Sequence, residues 1–306
     1  MIYECIREDI ETVEVKQVKK GRGHAYRVTI DGKDKDYPSV TTILRATDGS
    51  AVDAISRWTL KVAMQEVEDS IYVGTQQTTK NMKNVIVSNA KNKPSAELAL
   101  AATKGTLLHK AFELYMNDPN EPMLYWADGL LSRDNDVGSA LFTEDQLSPI
   151  LKAFKSIAEW IKKEGFEIVA TEIPVYNSVL EVCGTIDFVL SDNDNRIYVC
   201  DLKTGKNVYP KDALQVTSYI ACVMDMMTNG IMIWDMPRTS AMGKTIRNEE
   251  LLQKVEVGGA IFHLSQEDWS VKIKHVTEPM LGATALMASK TLYDINKKKL
   301  FGDEKL

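Results

Sequence analysis

The sequence predicts an α/β (α+β) fold in which a mixed central sheet is flanked by helices. Helical periodicity dominates residues 40 to 161, alternating apolar strands follow from 166 to 202, and further helix and strand patterns fill the remainder. The chain has 306 residues, 44% of them hydrophobic and 26% charged, so it can form one large domain or two small ones. We expect a hairpin and a helical arch in residues 1–94, and a compact core with C-terminal strands and a helix in residues 95–306.

The first third of the chain predicts a hairpin followed by helices. Residues 24–40 alternate in polarity and contain an Asp31-Gly32 turn signal, as in a small hairpin. Residues 40–68 have helical character with a break near Asp48-Gly49. Residues 95–116 predict a helix that Ser95 caps after Pro94.

A second long helix follows an acidic loop that ends near residue 142. It begins with a Thr143/Gln146 capping box and ends at Gly165. Its buried stripe consists of Leu147, Ile150, Leu151, Phe154, Ile157 and Ile161. The later elements are predicted as strands at 166–176, 183–190, 196–202, 230–235, 256–264 and 270–275, with helices at 211–228 and from about 277.

Composition and charge limit the partners and the compartment that we expect for the protein. The net charge of −6 gives no overall basic signature for nucleic acid, and no apolar run approaches the ~18 residues that a membrane span needs. The N-terminal residues show no secretory signal. Four widely spaced cysteines without a CxxC pair predict free thiols in a reducing, cytoplasmic compartment.

Two charged positions interrupt the apolar strands of the stretch GTIDFVLSDNDNRIYVCDLKTGK, residues 184–206. If the turn is centred on Asp194, the apolar positions pair and Asp187 lies opposite Asp201, with Lys203 on the same face as Asp201. Opposed carboxylates are destabilising unless a positive charge lies between them. Lys203 supplies part of that charge, and Mg²⁺ or Mn²⁺ bound to two aspartates and a backbone carbonyl would supply the rest. The alternative is a salt-bridged hairpin at an exposed sheet edge.

The ordered motifs GTID, VCDLKTGK and QVTSY resemble those of the PD-(D/E)XK nuclease superfamily, in particular its RecB-type exonuclease branch. This branch includes phage exonucleases, the mitochondrial genome maintenance exonuclease and the CRISPR adaptation nuclease. The stretches KGTLLHKAFE and YPSVTTIL resemble the upstream elements of that branch. The resemblance covers roughly residues 24–220 and implies a restriction-endonuclease-like core.

The resemblance also implies a role for individual residues. Asp187 and Asp201 match the metal-binding acids, Lys203 matches the catalytic lysine, and the Leu202 carbonyl matches a backbone metal ligand. His109 matches an upstream histidine that often holds a second ion. Gln215 and Tyr219 match a Gln-x-x-x-Tyr pair, which positions the lysine side of the site. Glu172 matches a less constant acid, and an exposed carboxylate at a strand end explains it equally well.

A run of lysines precedes the proposed site and is a candidate DNA-binding surface. It contains Lys80, Lys83, Lys91, Lys93, Lys104 and Lys110, with Glu97 as the only acid in that interval. A solvated helix face is the competing interpretation. We expect neither ATP nor an iron–sulfur cluster, because MGKT at 242–245 lacks the P-loop glycine spacing and only Cys222 follows the motifs.

The sequence therefore predicts a Mg²⁺- or Mn²⁺-dependent nuclease with one or two ions, most consistent with an exonuclease on single-stranded DNA. An endonuclease and a non-catalytic DNA-binding protein on the same fold remain alternatives. The resemblance further implies a role in recombination, repair or replication, with a recombinase, a single-strand-binding protein or a replication protein as partner. It also suggests a phage or other viral origin, and we expect no membrane association.

Overall fold

The computed structural model describes residues 1–4, 12–20, 23–45, 49–72, 80–117, 142–192, 196–231 and 256–297. These residues form six helices and two sheets, which confirms the predicted mixed α/β fold. They separate into two compact units, Met1–Thr47 with His109–Leu306, and Asp48–Leu108. The predicted division at residue 94 stays a prediction.

The first unit contains an N-terminal antiparallel sheet of four strands: β1 (Ile2–Glu4), β2 (Thr12–Lys20), β3 (Gly23–Ile30) and β4 (Lys33–Pro38). The β3–β4 hairpin turns at Asp31-Gly32, as predicted, and both turn residues have positive φ, 47° and 76°. The sequence interpretation found only this hairpin. Strand β2 also carries a signal, since Val13 and Val15 alternate with polar residues and are fully buried.

The second sheet of this unit has the order β5-β6-β7-β8-β9. Its strands are β5 (Glu167–Asn177), β6 (Val182–Ser191), β7 (Arg196–Lys203), β8 (Glu256–Leu264) and β9 (Val271–Val276). The pairs are antiparallel except for β7 with β8, which is parallel, so the predicted mixed sheet is confirmed. The predicted strand 230–235 falls mostly outside the described residues, as do the acidic loop and MGKT.

Helices complete the first unit. They are α1 (Val40–Arg45), α4 (Glu144–Lys163), α5 (Pro210–Thr228) and α6 (Pro279–Lys297). The backbone N–H of Thr143 donates to Gln146 Oε1 at 3.0 Å, which confirms the capping box, and Gly165 follows α4 with φ of 78°. The predicted stripe of α4 is buried except for Leu151, which is half-buried. Helix α5 packs on β5 and β8, and its apolar side chains share one core with both sheets.

The second unit contains α2 (Gly49–Tyr72) and most of α3 (Lys80–Asn117). The predicted start of a helix at Ser95 is wrong, because α3 continues through Pro94. A proline removes one backbone hydrogen bond from a helix interior but does not force the helix to end. Every helix in the described parts of the chain is too short or too polar to cross a membrane.

Candidate active site

The two aspartates of the charged stretch lie on neighbouring strands at the centre of the second sheet. The observed register pairs Val189 with Val199, as predicted. Continued by one residue beyond its last pair, Phe188 with Cys200, this register sets Asp187 opposite Asp201. The turn predicted at Asp194 lies outside the described residues.

One hydrogen-bonded group connects Asp201, Lys203, Gln215 and Tyr219. Lys203 Nζ lies 2.7 Å from Asp201 Oδ2 and donates to Gln215 Oε1 at 3.1 Å. Gln215 Nε2 donates to Asp201 Oδ1 at 3.1 Å and lies 2.9 Å from the Tyr219 hydroxyl oxygen. Gln215 and Tyr219 are one helical turn apart on α5, so both side chains lie on the same face of the helix. The predicted lysine, glutamine and tyrosine therefore meet around one buried carboxylate.

Asp187 forms a second group with His109 and β7. Its Oδ2 accepts a hydrogen bond from the Leu202 backbone N–H at 2.7 Å and lies 3.4 Å from His109 Nδ1. His109 lies on α3, where Ala111 and Phe112, two and three residues further on, are buried. Phe112 packs against Phe188, the neighbour of Asp187, with ring centroids 5.3 Å apart. This aromatic contact fixes the histidine-bearing end of α3 next to β6.

His109, Glu172 and Asp187 can converge on a single ion. Each offers a ligand atom, and these atoms all lie within 4.8 Å of one another. Glu172 lies between two β5 residues that pair with β6, and its φ of 50° is left-handed, which is uncommon for a residue with a side chain. Strain of this kind concentrates at functional sites.

Asp201 supplies a further donor beside this group. Its Oδ2 is buried and, among the described residues, accepts no hydrogen bond of good geometry despite the nearby Lys203 ammonium. An unsatisfied buried carboxylate oxygen is costly. Carboxylates with one imidazole suit a divalent cation, so the residues present fit such an ion.

Four titrating groups of the site have shifted pKa values, because several carboxylates lie close together. Burial and the charge of Asp187 raise the pKa of Asp201 to about 7, although Lys203 acts in the opposite direction. Burial and Asp187 likewise raise the pKa of Glu172 to about 7. Burial acts to raise the pKa of Asp187, but His109, Lys203 and the Leu202 N–H outweigh it and lower this pKa. Burial acts to lower the pKa of His109, but the charge of Asp187 outweighs it and raises this pKa.

Some residues near the site were not assigned a role from sequence. Gly184 lies on β6 against the Tyr219 ring, and a Cβ there would come within 2.2 Å of Cε1. A glycine inside a strand signals a close approach by another group, so the sequence contained a usable hint. His263 and Gln266 bond the backbone of the loop after Lys203 and had no readable signal.

The six lysines of the candidate DNA-binding surface differ in their surroundings. Lys93 Nζ lies 2.7 Å from Glu66, and Lys110 Nζ lies 2.6 Å from Glu113. Lys83 and Lys91 are exposed and Lys104 is half-buried, whereas the side chain of Lys80 lies outside the described part of the chain. The predicted surface is therefore partly neutralised by neighbouring carboxylates.

Comparisons with known proteins identify the family of this chain. No curated protein matches the chain. One match among solved structures is "Crystal structure of SSO0001", at 9% sequence identity over 81% of this chain and 88% of that chain, with a TM-score of 0.27. The family model of the PD-(D/E)XK nuclease superfamily matches residues 85–289, which is more than half of the chain and spans all the site residues described above. The chain belongs to the PD-(D/E)XK nuclease superfamily.

Proposed function

We propose that this protein is a metal-dependent deoxyribonuclease that hydrolyses phosphodiester bonds, acting as an exonuclease on ends of single-stranded DNA. The assignment of hydrolysis rests on the position of Lys203. Its Nζ lies 2.7 Å from Asp201 Oδ2, beside the group formed by His109, Glu172 and Asp187. An ammonium next to clustered carboxylates is an arrangement suited to both cation binding and phosphate chemistry. The preference for ends and for single strands rests on the resemblance to the RecB-type branch.

The acids and the histidine would hold one or two Mg²⁺ or Mn²⁺ ions. We assign His109, Asp187, Asp201 and the Leu202 carbonyl as ligands, with Glu172 as an additional one. A bound ion would polarise the phosphate and lower the pKa of a bound water. The Leu202 N–H keeps the Asp187 carboxylate oriented through its 2.7 Å hydrogen bond.

Lys203 is the residue to which we assign a direct part in the reaction. Its ammonium would orient the attacking water or neutralise charge that develops on the phosphate. Gln215 holds this ammonium through Oε1 and Asp201 through Nε2, and Tyr219 in turn contacts Gln215. Gln215 and Tyr219 are therefore positioning residues for Lys203 and Asp201.

We assign the protein to DNA recombination, repair or replication in a reducing cytoplasm. We also assign it a phage or other viral origin. The protein partner would be a recombinase, a single-strand-binding protein or a replication protein. These assignments rest on the branch that the motifs resemble.

The test uses DNA labelled at either end, as linear single strands, linear duplexes and closed single-stranded circles, each with Mg²⁺, Mn²⁺ or EDTA. Wild type is compared with Asp201→Asn and Lys203→Met, and with Lys155→Met as a control at an exposed lysine of α4. We expect metal-dependent loss of linear single strands, intact circles, a loss of roughly 100-fold or more in rate for the two site variants, and normal activity of the control.

Two other outcomes would redirect the assignment. Cleavage of closed circles would make the protein an endonuclease. DNA binding without cleavage under any condition, and without stabilisation by Mn²⁺, would make it a non-catalytic DNA-binding protein on the nuclease fold.

A further inference from the structure

The loop that follows Lys203 is held in place by two side chains, of which His263 is buried and Gln266 is half-buried. His263, on β8, is buried, and its Nε2 donates to the Gly205 carbonyl at 2.7 Å. Gln266 Nε2 donates to the Thr204 carbonyl at 2.8 Å. Two consecutive carbonyls of this surface loop are thus fixed from beneath, so the loop has a defined position relative to β7.

Tyr209 ends this loop and presents its ring to solvent. It is 50% exposed, more than any other Tyr, Trp or Phe among the residues whose side chains are described. Its backbone is restrained, because the N–H of Tyr209 donates to the Asp212 carboxylate at 2.7 Å at the start of α5. Aromatic rings carry a large apolar area that is normally buried, so a rigidly mounted, exposed ring is a candidate binding surface.

Positive charge accompanies the ring. Lys211 Nζ lies 5.7 Å from the centroid of the Tyr209 ring, a cation–π distance. Lys206, within the loop, pairs with Glu267 at 3.4 Å, and both side chains are more than two-thirds exposed. Such an exposed pair contributes little to stability, so a phosphate can replace the carboxylate at small cost. An aromatic face with flanking lysines is the combination that binds single-stranded nucleic acid.

The number of residues between Tyr209 and Gln215 of α5 indicates how far Tyr209 lies from the active site. Gln215, which contacts both Lys203 and Asp201, lies six residues after Tyr209 on this helix. Six helical residues rise about 9 Å. Two or three nucleotides cover that distance if the strand keeps the stacked spacing of about 3.4 Å per nucleotide that it has in B-form DNA. A strand with one phosphate at the active site can therefore bring a base two or three nucleotides away to the ring.

We propose that Tyr209 is a stacking platform for an unpaired base two or three nucleotides from the phosphodiester that is cut, with Lys206 and Lys211 contacting the phosphates beside that base. This inference rests on the proposed nuclease function and extends it to a substrate-selecting residue. The face of a base is accessible when the base is unpaired or terminal, so the platform favours single-stranded ends over the interior of a duplex.

The test measures DNA affinity by fluorescence anisotropy in EDTA, where the strand stays intact, for wild type, Tyr209→Ala, Tyr209→Phe and Met224→Ala. Met224 is the matched control, because it lies on α5 and is also 50% exposed. We expect Tyr209→Ala to weaken binding of a labelled oligothymidylate roughly 5- to 100-fold. Tyr209→Phe and Met224→Ala should stay within about twofold of wild type, since one keeps the ring and the other is remote from the loop.

A second experiment uses a series of oligonucleotides, each with a single abasic site at a different position. For wild type, one or two abasic positions should reproduce the loss seen with Tyr209→Ala, and Tyr209→Ala should lose nothing more at those positions. This experiment uses the wild-type protein, so it does not depend on the folding of any variant.

The inference is overturned if Tyr209→Ala binds as wild type does, if Tyr209→Phe loses as much as Tyr209→Ala, or if no abasic position matters. With DNA still cleaved by wild type, these results leave the nuclease assignment intact. If wild type neither binds nor cleaves DNA, both the nuclease assignment and the stacking platform are wrong.

Discussion

The Tyr219 ring occupies the space that a side chain on Gly184 would fill. A Cβ at Gly184 would lie 2.2 Å from Tyr219 Cε1 and 2.9 Å from Cδ1. Gly184 precedes Asp187 on β6, while the Tyr219 hydroxyl contacts Gln215. A strand residue without a side chain therefore sets how closely α5 approaches the sheet, and through Gln215 it affects the position of Lys203.

Replacement of Gly184 by alanine should reduce both stability and activity. The methyl group forces the Tyr219 ring aside, which we expect to cost about 1–3 kcal/mol in the free energy of unfolding and to slow DNA cleavage. Urea denaturation and a cleavage assay measure the two effects. Gly205→Ala is the stability control, because the nearest heavy atom to its new Cβ would be 3.9 Å away. Unchanged stability of Gly184→Ala would show that the ring can move freely.

Divalent metal binding should depend on His109 and Glu172. In wild type, Mn²⁺ at 100 times its dissociation constant should stabilise the fold by about 2.7 kcal/mol, which a thermal melt detects. We expect His109→Ala and Glu172→Ala to need at least roughly tenfold more Mn²⁺ for the same shift in Tm. Glu113→Gln should behave like wild type, because Glu113 pairs with Lys110 and is outside the group of three ligands. Equal Mn²⁺ requirements in all variants would place the ion elsewhere.

The metal-free protein should become less stable as pH rises from 5 to 8. The pKa values of Glu172 and Asp201 are about 7 in the folded state, above the roughly 4 expected when unfolded. Between these values the folded state binds more protons than the unfolded state, so stability falls as pH rises. The raised pKa of His109 acts in the same direction, since its contribution is complete below about 6.5 and is lost above its folded pKa.

Thermal melts in EDTA across this pH range test the sign. Glu172→Gln removes one titrating carboxyl and should flatten the slope, whereas Glu113→Gln removes only a minor contribution to the raised pKa of Glu172 and should flatten it less. Mn²⁺ should raise Tm more at pH 8 than at pH 5, because protons compete with the ion for the same oxygens. A Glu172→Gln slope equal to that of wild type would contradict the assignment of the raised pKa to this carboxyl.

Local signals made much of the fold predictable. The Asp31-Gly32 turn, the Thr143/Gln146 capping box and the Gly165 stop each have a short-range physical cause that sequence displays. The register of β6 and β7 was predictable because apolar residues on both strands allow one pairing that keeps them buried. That register alone was sufficient to place Asp187 opposite Asp201.

Features that depend on tertiary contacts were not predictable in the same way. The left-handed backbone of Glu172 is compatible with an ordinary strand sequence, so its approach to Asp187 follows only from the β5–β6 pairing. Pro94 resembles a helix boundary locally, yet it is buried inside α3. Propensity favoured a break there, but it is a weak effect that tertiary packing can override.

The lysines on α3 should contribute to DNA binding according to their partners. Lys83 and Lys91 are exposed, whereas Lys93 lies 2.7 Å from Glu66, which already neutralises its charge. We therefore expect Lys83→Glu and Lys91→Glu each to weaken single-stranded DNA binding, and each Lys→Ala change to lower the slope of log K against log salt by about 0.7. Lys93→Ala should have a smaller effect on that slope, and Lys155→Ala on α4 should have none.

Salt titrations by anisotropy separate these cases, because a lysine that contacts phosphate changes the slope while a structural lysine changes only stability. Equal slopes for wild type, Lys83→Ala and Lys91→Ala would make this stretch a solvated helix face.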